Sequence, residues 1–405
     1  MGLTRFPGSR RWVSASLIDA VGSGLLMPLT VLYFTLHVGL SPASVGLGLT
    51  IGGLIALAFA PVGGILIDAF GSKPVLLGYW TLAALAYAGY GVVGTWVEFL
   101  VAVTVAEIAA SATSTARKSL LTELATGEDR VRLMASQRSV RNLGFGLGGL
   151  LASLALAIGG AAYLWVVYGD AASFLVAIVL VAGLPVPGRP PSPARGAGRP
   201  GLAGLRCVLA DRRYLAVTAL DFFSSFQATG LEVALPLWIV LHTHAPRALT
   251  GILFTVNTVL VVLFQVRASR GVRQLRDIPR TYRRAAAAMA LCAGVYLAAH
   301  YVGEAAAVAL LVAGIGLHTA TEIFTSAGEW IASVELADDA HRGAYLSVFS
   351  LGNSLQDALG PTVVTSLLLL GVVWLWPVLA ACVVVGTLAT AGLVGGRAPG
   401  RGCWR

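Results

Sequence analysis

Four carboxylates in this chain stand inside stretches that are otherwise almost wholly apolar: Asp19, Glu107, Asp221 and Glu322. An ionised side chain in hydrocarbon is costly, so acids kept there face partners or water and mark routes for ions and substrates. A carboxylate in such a place suits reversible protonation as its surroundings alternate between wet and dry. His318 stands one helical turn before Glu322, and an imidazole beside a carboxylate can exchange protons near neutral pH. Asp19 and Asp221 are each followed by Pro-Leu (Pro28-Leu29 and Pro236-Leu237), and Glu107-Ile108 is matched by Glu322-Ile323. The chemistry within reach of these residues is proton binding along a membrane-crossing route.

The elements that must position them follow from composition. Of 405 residues, 57% are hydrophobic and 12% charged, against about 25% charged in an ordinary soluble domain. The 48 glycines suit helices that approach closely in a bilayer. Twelve apolar spans are expected, at 12–36, 44–67, 74–94, 97–116, 136–158, 162–184, 213–240, 248–266, 284–302, 305–330, 344–370 and 372–394. Most reach the roughly 20 residues that a helix needs to cross about 30 Å of hydrocarbon. The first is too long for a cleavable signal, and further spans follow at once.

Charge sets the orientation. With the N-terminus inside, every Lys and Arg except Arg247 falls on the inner side, which is the positive-inside pattern. The net charge of +9 is thus accounted for without nucleic acid. An even number of spans places both termini in the cytoplasm of a multi-pass cell-membrane protein. Trp96, Trp165, Trp238, Trp374 and Trp376 are expected in the outer interfacial belt.

The chain also repeats. Glu123-Leu124-Ala125, Arg130, Asn142 and Gly149 recur about 212 residues later as Glu335-Leu336-Ala337, Arg342, Asn353 and Gly360. Two similar halves in parallel orientation indicate transport, with a route between them. The expected division is 1–184, a basic Pro- and Gly-rich flexible linker over 185–212, and 213–405. Cys207, Cys292, Cys382 and Cys403 show no paired spacing, so neither a disulfide framework nor a thiolate metal site is expected. His242 and His244 read as an outer surface loop. No metal site and no cofactor are expected.

Between the second and third spans runs Gly64-Ile-Leu-Ile-Asp68-Ala-Phe-Gly71-Ser-Lys73. Gly64 and Asp68 share a helix face, Gly71 permits a tight turn, and Lys73 supplies a cation just outside the membrane. Here the sequence resembles the major facilitator superfamily, whose second and third helices are joined by Gly-x-x-x-Asp-Arg/Lys-x-Gly-Arg/Lys-Arg/Lys. Ala69 and Ser72 depart where that family usually has basic residues. The resemblance, which covers nearly the whole chain, implies an all-α membrane protein of twelve transmembrane helices in two six-helix bundles related by pseudo-two-fold symmetry. It implies that spans one, four, seven and ten line a central cavity, which puts Asp19, Glu107, Asp221, His318 and Glu322 on the substrate and proton pathway. It also implies a cytoplasmic gate of Gly64, Asp68, Gly71 and Lys73, with Arg117, Arg138 and Arg342 as candidate partners for Asp68. Gly144-Phe-Gly-Leu-Gly148-Gly149 is similar in part to the fifth-helix motif of drug–proton antiporters, without its proline.

No phosphate-binding Gly-x-x-x-x-Gly-Lys-Ser/Thr loop is present, and Lys73 and Lys118 are the two lysines of the chain. No nucleophile–base pair or cofactor fingerprint suggests an enzyme. The expectation is a monomeric, proton-coupled exporter of small amphipathic or drug-like molecules working by alternating access. An uptake symporter of a small metabolite, or a non-transporting sensor on the same scaffold, are the alternatives. Asp68→Asn is expected to lower transport in proteoliposomes while leaving membrane insertion intact, and full transport in that variant removes the gate assignment.

Overall fold

The structure is a computed structural model that describes residues 8–124, 127–160, 162–185, 202–269, 272, 274–338 and 341–395. Among these residues all regular structure is helical. The helical rods are α1 (Ser9–His37), α2 (Pro42–Phe70), α3 (Ser72–Tyr90), α4 (Trp96–Leu124), α5 (Gly127–Ile158) and α6 (Ala162–Ala182). They continue with α7 (Arg212–His242), α8 (Leu249–Ser269), α9 (Ile278–Ala298), α10 (Glu304–Glu335), α11 (Arg342–Leu370) and α12 (Leu375–Gly395). Each coincides with one expected span. Eight described helices are long and apolar enough to cross a membrane by length and composition, and Leu249–Gln265 is a shorter apolar one.

Several boundaries differ from the sequence reading. The basic stretch between the fourth and fifth spans is mostly helix, because α4 runs to Leu124 and α5 starts at Gly127. A helix satisfies its own backbone and can continue past its apolar stretch without cost to hydrogen bonding. Within the expected flexible linker, Leu202–Ala210 is a helix. Its Cys207 and Val208 join a core with Tyr214, Tyr282, Tyr345 and Phe349, so apolar burial orders that end of the linker. Residues 186–201 lie outside the described part. Trp238 and Trp376, expected in the interfacial belt, are fully buried. They meet edge to face at 6.0 Å, and the Trp238 indole donates to the Tyr296 carbonyl at 2.9 Å. Trp165 and Trp374 are exposed.

The contacts divide the chain into two compact units, Met1–Ala194 with Pro246–Val259, and Arg195–Ala245 with Leu260–Arg405. The start of α8 therefore counts with the first unit rather than the second. It is held there by α5: Thr255 donates to the Gly146 carbonyl at 2.9 Å, and Gly251 and Gly149 bring the two backbones together.

The units repeat each other's fastenings. In the first, Arg11 donates to the Gly183 carbonyl beyond the end of α6 at 2.6 Å. In the second, Arg213 donates to the Leu393 carbonyl near the end of α12 at 3.1 Å. A cation at a helix C-terminus satisfies carbonyls that have no helical partner. Tyr33 of α1 donates to the Tyr90 carbonyl at the end of α3 at 3.0 Å, as Trp238 of α7 does to Tyr296 of α9. The repeated glutamates each anchor the start of a third helix. Glu123 accepts from Ser72, and Glu335 accepts from the Leu275 N–H at 3.1 Å, just before α9.

The packing that matters most for the site is α1 on α5. A Cβ at Gly144 would collide with Ala20, and one at Gly148 with the Val21 carbonyl, so only glycine allows this approach. Gly148→Val is expected to lower stability by about 1–3 kcal/mol, read as a lower thermal-unfolding midpoint in detergent. Gly78→Ala, where no atom stands within 4 Å of the new methyl, is expected to leave it unchanged.

Candidate functional site

Asp19 is the centre of the polar cluster of the first unit. Its side chain is 2% exposed, and its Oδ2 accepts from Arg117 of α4 at 2.8 Å and from Arg141 of α5 at 2.7 Å. Arg141 also lies 5.0 Å over the Phe145 ring, a second favourable contact for a partly desolvated guanidinium. Three residues earlier on α1, Ser16 donates to Gln137 of α5 at 2.9 Å. Asp170 of α6 is buried nearby, where Gly22 leaves it room against α1, and Ser173 lies 3.5 Å from its carboxylate. Two guanidiniums thus converge on one acid, with a second acid buried close to it.

The second unit has an equivalent place with different content. Asp221 of α7 is buried, 5% exposed, and its Oδ2 has no hydrogen-bond partner. Glu329 of α10, half-buried, is close enough for the two charges to repel. Glu329 accepts from Asn353 of α11 at 2.8 Å, and Asp357 of α11 adds a further negative charge beside it. Glu329 stands 212 residues after Arg117, the offset of the Glu-Leu-Ala repeat. Where the first unit places a guanidinium, the second places a carboxylate.

The other expected pathway residues are more dispersed. Glu107 of α4 and Glu322 of α10 are half-buried, and both make interactions. His318 is fully buried and faces α7, with Nε2 2.9 Å from the Gln227 carbonyl and Nδ1 4.0 Å from the Cys292 sulfur. That carbonyl lies just before the π-helical turn Gly230–Ala234 of α7. On α10, Gly316, Thr319, Ala320 and Ile323 line a cavity of about 410 Å³ with Leu260, Phe264 and Arg267 of α8. Its wall is mainly apolar, with Arg267 as its one charged group.

Of the expected gate, Gly71 ends α2 at φ +86°, a conformation that favours glycine. Gly64 lies one turn before Asp68 on α2, and no atom stands within 4 Å of a Cβ placed there. Lys73 caps the end of α6, donating to the Ala182 and Leu184 carbonyls at 2.8 and 2.7 Å. Ser72, which departs from the family pattern, is the residue bonded to Glu123. Arg117, expected as a candidate partner for Asp68, donates to Asp19. The side chains of Asp68, Arg138 and Arg342 lie outside the described residues.

Sequence reasoning missed Arg141 as a ligand of Asp19, and missed Glu329 and Ser16 altogether. A signal existed for the last two. Arg11 and Asp19 are spaced as Arg213 and Asp221 are, which aligns the first helices and pairs Ser16 with Thr218. The Glu-Leu-Ala offset points from Arg117 to Glu329. Among the described residues, Cys207, Asp338 and His341 come within 4.8 Å of one another. The Cys207 sulfur is in a disulfide, contrary to the expectation from spacing, so it offers no thiolate to a metal.

Helical rods with buried charge in two repeated units define a multi-pass membrane transporter rather than an enzyme. The family profile of the Major Facilitator Superfamily matches residues 12–361, and the chain belongs to that superfamily. Its structure is similar to that of the nucleoside transporter NupG, with TM-score 0.72 and 16% identity over 97% of this chain and 99% of that one. It is also similar to a D-xylose-proton symporter (0.70, 15%, 94% and 96%). A third likeness is to a bacterial homolog of the human lysosomal transporter Spinster (0.66, 13%, 95% and 93%). At these identities the likeness establishes the major facilitator fold. No curated protein matches the sequence.

Asp19→Asn leaves two guanidiniums without their anion and is expected to cost about 3–5 kcal/mol. Arg117→Gln, which leaves Arg141 on Asp19, is expected to cost less. Thermal unfolding of the two variants in detergent checks the order.

Proposed function

We propose that this transporter is a proton-coupled secondary carrier that exports small amphipathic or drug-like molecules by alternating access. In this reading it resides in the cell membrane as a monomer with both termini cytoplasmic. Residues 1–184 and 213–405 are the moving bundles, joined by 185–212. The observation that carries the coupling is the set of buried or half-buried acids on α1, α4, α7 and α10. Each proton crossing about 100 mV supplies about 2.3 kcal/mol, and the chain contains no nucleotide-binding loop to supply energy otherwise. The mainly apolar cavity between α8 and α10 supports amphipathic cargo over sugars.

In the proposed cycle, Glu107 and Glu322 carry protons, and His318 positions the irregular part of α7. The turn of Gly64, Asp68, Gly71 and Lys73, with Arg138 and Arg342, closes the inner side. Arg117 serves first as the counterion of Asp19. The second reading, uptake by symport, is favoured by the likeness to the D-xylose-proton symporter.

Purified protein in liposomes enclosing a pH-sensitive dye separates the two. Under an imposed proton gradient, the panel comprises lipophilic cations, neutral drugs and polar metabolites. Proton movement opposite to cargo, reduced at least about tenfold, or 1.4 kcal/mol in the barrier, by Glu107→Gln or Glu322→Gln, is the expected result. Movement of both in one direction replaces export with symport. Cargo flux indifferent to the proton gradient removes the coupling.

A further inference from the structure

The two units solve the same electrostatic problem differently. In the first, Ser16 and Asp19 of α1 both find partners, in Gln137 and in Arg117 with Arg141. In the second, the matching residues of α7 find none: Thr218 Oγ1 and Asp221 Oδ2 are buried without a hydrogen-bond partner, as is Asn353 Oδ1. The partner of Ser16 has no counterpart, because the offset from Gln137 falls on Val348 and Phe349. The partner of Asp19 is inverted in charge, from Arg117 to Glu329.

A buried acid and a half-buried one close enough to repel cannot both persist ionised without compensation, and an unpaired buried polar atom is costly. No described basic side chain supplies that compensation. Arg206, Arg212, Arg280, Arg283 and Arg284 are exposed, and Arg213 is directed to the end of α12. The titratable groups that approach the pair are Asp357 from α11, Tyr282 from α9 and Tyr214 from α7. Tyr214 is engaged with the Ser333 carbonyl at 3.3 Å. α12 carries no acidic or basic residue. All the unpartnered acceptors are oxygens, the donor type that a proton or a hard cation takes.

We propose that Asp221 and Glu329 hold one monovalent cation between them, a proton or Na⁺, with Thr218 and Asn353 completing the site. The second unit then carries as an exchangeable ion the positive charge that the first carries covalently in Arg117. Its use in coupling rests on the proposed transport cycle, whereas its binding is an equilibrium property measurable without cargo.

The test uses purified full-length protein in detergent at neutral pH, in choline chloride or in NaCl. The infrared carbonyl band of protonated carboxyl groups is compared among the unaltered protein, Asp221→Asn, Glu329→Gln and the double variant. The expected result is that each single variant loses the same one carboxyl equivalent, and the double variant loses no more. Loss in both media identifies a proton. A band that vanishes from the unaltered protein in NaCl and returns in choline identifies Na⁺. Glu329→Asp, which keeps the carboxylate, is expected to keep the band, and covers the case of a single variant that does not fold. No loss in any variant in either medium, or losses that add in the double variant, overturns the proposal. A failure of transport with the shared band intact bears on the transport reading alone.

Discussion

An acid buried among apolar helices has to be neutralised by something, and Asp19 shows how much of the structure that requirement organises. Its two guanidiniums come from α4 and α5, so three helices are tied at one oxygen. Arg141 reaches it because Gly144 and Gly148 let α5 lie against α1 at backbone distance. Exchange either glycine for a larger residue and the charge cluster is pushed apart along with the helices. Packing and electrostatics are the same constraint here, and the remaining fastenings of the unit fit around it. Arg11 and Lys73 close the end of α6, and Glu123 fixes the start of α3.

The second unit keeps the fastenings and changes the centre. Arg213 stands for Arg11, Glu335 for Glu123, and Trp238 for Tyr33. These are contacts at helix ends, where unpaired backbone groups exist in any bundle and must be met by some side chain. The centre is free to diverge because it is set by side chains alone. Arg117 and Glu329 occupy matching offsets with opposite charge, so the second unit has a negative group at the place where the first has a positive one. Such asymmetry gives a two-unit carrier a place where a mobile ion can matter, since a covalent counterion cannot leave.

Much of this was legible in the residues. Twelve spans, their order, and the superfamily follow from apolar length, basic residues and the Gly64–Lys73 turn, all of which are local along the chain. The repeat was visible through Glu123 and Glu335, though its meaning was not. A glutamate at the end of a fourth helix says nothing by itself about the third helix start that it holds. The interfacial assignment of Trp238 and Trp376 failed for a related reason. Position near a span's end does not tell which way an indole points, and these two point inward to a carbonyl and to each other.

The sequence by itself determined the class, because crossing a bilayer demands length and apolarity that nothing else in a chain of this composition explains. It also determined which residues are expensive to bury. Only the tertiary structure decided how each is compensated, since partners such as Asp19 and Arg141 lie 122 positions apart. Their pairing depends on helix approach, register and rotation, none of which is written in local spacing. So the sequence offers Arg117 as a candidate partner for Asp68, and only the fold shows it bonded to Asp19. Glu329 could pass unnoticed until the fold set it before Asp221.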